Sequence, residues 1–303
     1  MTDFLIASHG VSASAWLAAF LHTHPKVHCV HGSQMQPVSG AETYDIDAIR
    51  AEKGMAGLLA LAQQVRRGAQ QRGARPLSQV FGDLRAASDR PIRGAVHSFR
   101  LRDLPGLDPG DRAAPIVVFN LVRHPVDVVH SAHGLLRQSM RIDLHEAWWT
   151  AGRLVSGHLQ TIETLAARHD LFPGDPEVIS FFGACLALEG LAADQRAVPE
   201  VRGKDWVDWA GTLRSEDVTG DSQTRADLLT RIGADPVAAR ALPDRINAHA
   251  GGGRDQGPRA KWARWSDWQR SAFQTFFDTA QLRAAYTGMG YDLSMIPEGA
   301  AAA

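Results

Sequence analysis

The stretch FLIASHGVSASAWLAAFLHTHPKVHCV, residues 4–30, decides the fold. Phe4 to Ser8 is a short apolar run suited to a strand buried on both faces. His9 to Ala15 is small and polar, and Trp16 to Leu21 has helical habit. Proline disfavours helical geometry in the residue before it, so His24-Pro25 ends that helix. Val27 to Val30 resumes as a strand. At a small-residue turn that opens a helix, the first amides lack internal partners and the helix dipole adds positive potential. Such a turn suits an anion. Ser12 and Ser14 offer hydroxyls to it. The loop lacks the second glycine and the lysine of a Walker A pattern, which argues against an ATP or GTP site.

The alternation continues outward from this stretch. Ile46 to Arg72 reads as an amphipathic helix, Gly94 to Phe99 as a strand, and Ile116 to Val122 (IVVFNLV) as the clearest buried strand. Pro125 suits a first helical turn, with Val126 to Arg137 continuing the helix. Leu144 to Arg168 predicts a long helix, Val207 to Leu213 a strand, Gln223 to Ile232 a helix and Trp268 to Tyr286 a final helix. Strands alternating with helices predict an α/β fold of three layers with a central, mainly parallel sheet, in a single domain over residues 1–303. Gly251, Gly252, Gly253 and Gly257 predict a flexible loop at residues 248–260, and the alanine-rich end predicts a poorly ordered tail over residues 297–303.

Composition narrows the function classes. With 303 residues, 32 basic against 33 acidic side chains and 45% hydrophobic residues, the chain can bury a sizeable core. Its near-neutral charge argues against a nucleic-acid binder. Cys29 and Cys185 have neither disulfide-framework nor metal-ligand spacing. The most apolar run, Val178 to Ala193, contains Glu189 and falls short of the roughly 20 residues a membrane span needs. Asp3, and the lack of a basic segment before Phe4, argue against a signal peptide, so a cytoplasmic location is expected. Lysine occurs only at Lys26, Lys53, Lys204 and Lys261, the other basic residues being arginine, which fits a GC-rich bacterial genome.

A second constellation, NLVRHPVDVVHSAHG over residues 120–134, follows the clearest strand. Arg123 falls just past the strand's carboxyl end, where α/β folds bind ligands. Ser131 comes about two helical turns later. The alternative is a surface ion pair for Arg123 and a solvated face for Ser131. Among the 13 histidines, His22, His24, His28 and His31 straddle a helix end and a strand with no common face, so no metal site is predicted. His124, His130 and His133 default to a helix surface, and Trp148, Trp149, Trp206 and Trp209 to core.

These segments resemble PAPS-dependent sulfotransferases. HGVSASAWLAAFL followed by His-Pro is similar to their 5′-phosphosulfate loop, usually a basic residue, Ser-Gly-Thr-Thr/Ser, then Trp-Leu. NLVRHPVDVVHSAHG resembles their 3′-phosphate motif, and Leu213 to Val218 (LRSEDV) their Tyr-Glu-Asp-Leu segment. Lys261-Trp262 to Trp268, with Gly290-Tyr291, resembles their cofactor-covering region. The motifs occur in family order from residue 4 to residue 292. The resemblance implies a P-loop-like sulfotransferase architecture. It implies that Gly10, Val11, Ser12, Ala13, Ser14, Ala15 and Trp16 wrap the phosphosulfate of PAPS. Arg123 and Ser131 would hold its 3′-phosphate, and Lys261, or Arg259 or Arg254, would be a cation folded over it by the mobile loop. Three positions depart from the pattern: the basic residue is Val11, the glycine is Ala13 and the second Thr/Ser is Ala15. The nearest substitutes for the missing cation are Lys261, which is favoured, and His9, whose charge depends on pH.

The implied reaction moves a sulfuryl group to a hydroxyl or similar nucleophile of a small or medium-sized acceptor, or of a modified peptide or glycan, releasing PAP without a metal. A neutral histidine suits the base that takes the acceptor's proton. His97, in Gly94-Ala95-Val96-His97, matches the family's strand histidine, and His31 is the reserve. The alternative function is a non-catalytic protein of the same fold that holds PAP, PAPS or another ligand. Val178 to Ala193 could line an acceptor pocket.

Overall fold

β1 (Thr2–Ser8) is buried along nearly its whole length. Its alternate side chains face opposite ways, as strand geometry requires. Phe4 and Ile6 pack with Leu17, Ala18 and Leu21 of α1 (Ser14–His22). Leu5 and Ala7 pack with Leu77, Val80, Phe81 and Leu84 of α2 (Leu77–Ala87). Helices therefore cover both faces of the sheet, which is why its central strands read as unbroken apolar runs. β2 (Val27–His31), β3 (Ile92–Val96), β4 (Ile116–Val122) and β5 (Val207–Arg214) complete a 5-stranded parallel sheet in the order β2-β3-β1-β4-β5. The α/β, three-layer expectation is met.

In a parallel sheet all carboxyl ends lie at one edge. Here Ile6 is level with Val96, Val96 with His31, and Ser8 with Leu121. The chain leaves β1 towards β2 on one side and leaves β4 towards β5 on the other. The neighbouring ends of β1 and β4 thus flank a topological switch point, where open α/β sheets bind ligands. In β5 an extra residue, Ala210, disturbs the register between Trp209 and Gly211.

The computed structural model describes residues 1–10, 12–32, 76–141, 145–172, 175–238 and 257–298. The expected helix over Ile46 to Arg72, Val11, Arg254, most of the glycine-rich loop and residues 299–303 lie outside them. The described residues fall into two compact units. The first draws on the described residues of 1–32, 76–123 and 193–238 and contains the sheet. The second draws on those of 124–141, 145–172, 175–192 and 257–298.

Beyond the sheet the helices are α3 (Pro125–Arg141), α4 (His145–Arg168), α5 (Pro176–Arg202), α6 (Ser215–Gly220), α7 (Ser222–Arg231), α8 (Pro258–Arg264), α9 (Asp267–Ala280) and α10 (Arg283–Gly288). The expected final helix is two helices. Gln281 adopts left-handed backbone at φ 55° and ends α9, although neither glycine nor proline marks the break. α5 extends the apolar run to 27 residues, long and apolar enough to cross a membrane, but 67% of its most apolar window is buried in the protein. In the second unit Phe181 and Phe182 of α5 pack on Trp265, Trp268 and Phe276. That part of α5 is aromatic core.

Candidate active site

The loop between β1 and α1 is shaped by its own backbone. Gly10 has φ 104°, and its amide donates to Ser8 Oγ at 3.1 Å. A Cβ on Gly10 would lie 3.1 Å from His97 Cε1, so the imidazole lies directly over this glycine. Ser12, 1% exposed, donates its hydroxyl to the Gly10 carbonyl at 2.8 Å. That hydroxyl closes the loop on itself. Ala13, which precedes α1, is left-handed at φ 56° and gives the helix no side-chain cap. The glycine-like conformation thus survives without the glycine, at a cost of roughly 1–2 kcal/mol. An uncapped helix start leaves its first amides available to a ligand. The Trp16 indole stacks on Phe20, and its Nε1 is buried without a hydrogen-bond partner. An orphaned donor in the first turn of α1 fits a phosphate- or sulfate-bearing ligand.

His31 and His97 lie side by side at the carboxyl edge of the sheet, and His9 directly follows β1 at the same edge. His97 is not on the strand as expected. β3 ends at Val96, and His97 follows it in left-handed backbone at φ 60°. Strain of this kind in a β-carbon residue persists only where its surroundings enforce it. Here they do: the His97 amide donates to the Ile6 carbonyl at 2.9 Å, and His97 Nδ1 donates to the Ser8 carbonyl at 2.9 Å. Gly32 also permits the arrangement, because a Cβ there would lie 2.1 Å from the His97 carbonyl oxygen. With Nδ1 committed as a donor, the neutral ring keeps its lone pair on Nε2. Burial lowers the His97 pKa, so that neutral form prevails at pH 7.

His31, at the end of β2, shares a 2.9 Å hydrogen bond between Nε2 and Ser14 Oγ, and its ring lies 5.4 Å from that of His97. Burial, with His97 beside it, pushes its pKa down to about 4. His9 is the third. Its Nδ1 faces Asp194 at 3.5 Å, and Asp194 in turn accepts from the Arg102 amide at 3.2 Å and pairs with the Arg102 guanidinium at 3.5 Å. Burial lowers the His9 pKa against the opposing pull of Asp194. Asp194 and Arg102 were not singled out in the sequence. Their only signal is a charged residue directly after the apolar run of α5, because the partners of Asp194 are remote along the chain.

Arg123 follows β4 directly and is buried. Ser131 lies on α3 and is half-buried. His124 and His133 are also buried, which corrects their expected place on a helix surface. His124 Nδ1 accepts the Val126 amide at 3.2 Å and so caps α3, while its Nε2 donates to the Asp292 carbonyl at 3.1 Å. His133 faces Glu177 at 3.2 Å. Lys261 is not a mobile loop cation. It belongs to α8, is 6% exposed, and donates to Asp127 of α3 at 2.9 Å. Arg259 is exposed and bonds Asp292 and Ser294. Among the described residues no group of His, Cys, Asp and Glu is arranged to hold a metal.

No protein-family model matches the sequence. Nor does any curated protein match it. Among solved structures, the chain is similar to the crystal structure of a sulfotransferase from Alicyclobacillus acidocaldarius, with a TM-score of 0.50 and 14% identity over 97% of this chain and 98% of that one. The parallel sheet, the uncapped loop at its carboxyl edge and this likeness agree: the chain has the sulfotransferase fold.

Proposed function

We propose that this protein is a PAPS-dependent sulfotransferase that acts on a hydroxyl or similar nucleophile of a small or medium-sized acceptor. The observation that carries the reading is His97: a strained, half-buried histidine over the phosphate-type loop, whose Nδ1 bond to Ser8 leaves Nε2 as a base. PAPS, when bound, supplies the sulfuryl group and leaves as PAP. The free amides at the start of α1 and the Trp16 indole hold its 5′ end, and the Arg123 guanidinium holds the 3′-phosphate through charge-assisted bonds. His97 Nε2 would take the acceptor's proton, and the loop amides would stabilise the charge that develops on the leaving phosphate. Lys261 holds the first turn of α3 in place through Asp127, four residues after Arg123 along the chain.

A second reading, a binding protein without turnover, draws on the absence of lysine and arginine from residues 9–15. Calorimetry separates the parts. Arg123→Ala should weaken PAP binding by about 1.5–3 kcal/mol, the worth of a hydrogen bond to a charged group, and barely change binding of adenosine 5′-phosphate. Equal losses for both nucleotides would remove Arg123 from the 3′-phosphate.

A further inference from the structure

We propose that His9, held by Asp194, takes up a proton when the 5′-phosphate end of PAPS or PAP binds. It would thereby supply the positive charge that residues 9–15 otherwise lack. The inference rests on the PAPS reading above. Residues 9–15 contain neither lysine nor arginine, and His9 is the sole titratable side chain among them. A phosphate group at the uncapped start of α1 would meet helix amides but no formal charge from the loop itself. Lys261 is committed to Asp127 in the other unit.

The surroundings of His9 make it a group poised to change charge. Its side chain is 12% exposed, and its Nδ1 faces the buried Asp194 carboxylate at 3.5 Å. Against protonation stand burial and the charges of Arg100 and Arg102; for it stands Asp194. Arg102 is itself bound to Asp194 through both its amide and its guanidinium, which fixes the carboxylate. His31 and His97, at the same sheet edge, are both lowered by burial and neutral at pH 7. In the free protein the balance leaves His9 neutral. An opposite charge within about 4–6 Å raises a histidine pKa by roughly 1–3, which opposes the lowering by burial and favours the protonated ring.

The sign follows from linkage. If the complex binds one more proton than the free protein, affinity rises as pH falls, by up to about tenfold per pH unit. The test is calorimetric titration with PAP at about pH 7.5 in buffers of different ionisation enthalpy, which counts protons taken up. The intact protein should take up roughly half to one proton more than His9→Gln, the comparison cancelling the nucleotide's own protons. Asp194→Asn, which keeps the shape and removes the charge, should lower the uptake as well, and it decides the matter should His9→Gln not fold. Unchanged uptake in both variants would overturn the proposal, and its loss in His97→Gln alone would place the proton on His97 instead. Absence of PAP binding by the intact protein would overturn the PAPS reading itself, a distinct result.

Discussion

Replacing His97 by alanine should lower kcat by roughly 10²–10⁴, the usual contribution of a well-placed base. PAP affinity should stay close to that of the intact protein, because the proposed function assigns the phosphates to the start of α1 and to Arg123 rather than to His97. The magnitude follows from how completely the ring is fixed. Its Nδ1 is bound to the Ser8 carbonyl, its ring lies close against Gly10, and its backbone is held left-handed. A histidine so constrained presents Nε2 in one direction. His31 is the control: its Nε2 is engaged by Ser14 Oγ, so His31→Ala should disturb the loop more than the chemistry. Near-normal turnover in His97→Ala with loss in His31→Ala would move the base to His31. Steady-state rates with saturating PAPS decide between them.

Lys261→Met should cost about 3–5 kcal/mol of stability, the range for breaking a buried ion pair by removing one partner. Methionine keeps the length of the stem and removes the charge. Lys261 and Asp127 both have side chains under a tenth exposed, at 8% and 5%, and meet at 2.9 Å, so solvent cannot take over the lost interaction. The double variant Lys261→Met, Asp127→Leu should regain most of the loss, since an apolar pair of similar volume often replaces a buried ion pair without penalty. Urea unfolding midpoints of the three variants measure this. A mobile lysine that only covers PAPS would give the opposite pattern, with unchanged stability and weaker nucleotide binding.

Much of the fold is legible in local pattern. The short apolar runs at Phe4 to Ser8 and Ile116 to Val122 suit strands covered on both faces, and Pro125 marks the start of α3. The small-residue turn between β1 and α1 is legible too, although such a turn alone is a modest sign of a ligand, since many α/β proteins carry one with none. What local pattern does not carry is pairing between remote residues. Lys261 reads as part of a glycine-rich loop until Asp127 is found beside it. His124 and His133 read as surface residues until Asp292 and Glu177 are in place. Asp194 is one acid among many until His9 and Arg102 converge on it. Left-handed backbone at His97, Ala13 and Gln281 has no sequence mark either, since it is imposed by surroundings rather than chosen by the residue.

Transfer itself is the most direct test. Radiosulfur-labelled PAPS would be incubated with an extract of the cell that makes this protein, and the label in acceptor and the PAP released would be followed together. The intact protein should move label into an acceptor in step with PAP, and His97→Ala should slow this by at least about 10². Intact protein that binds PAP but transfers no label would contradict the enzyme and establish the binding protein in its place.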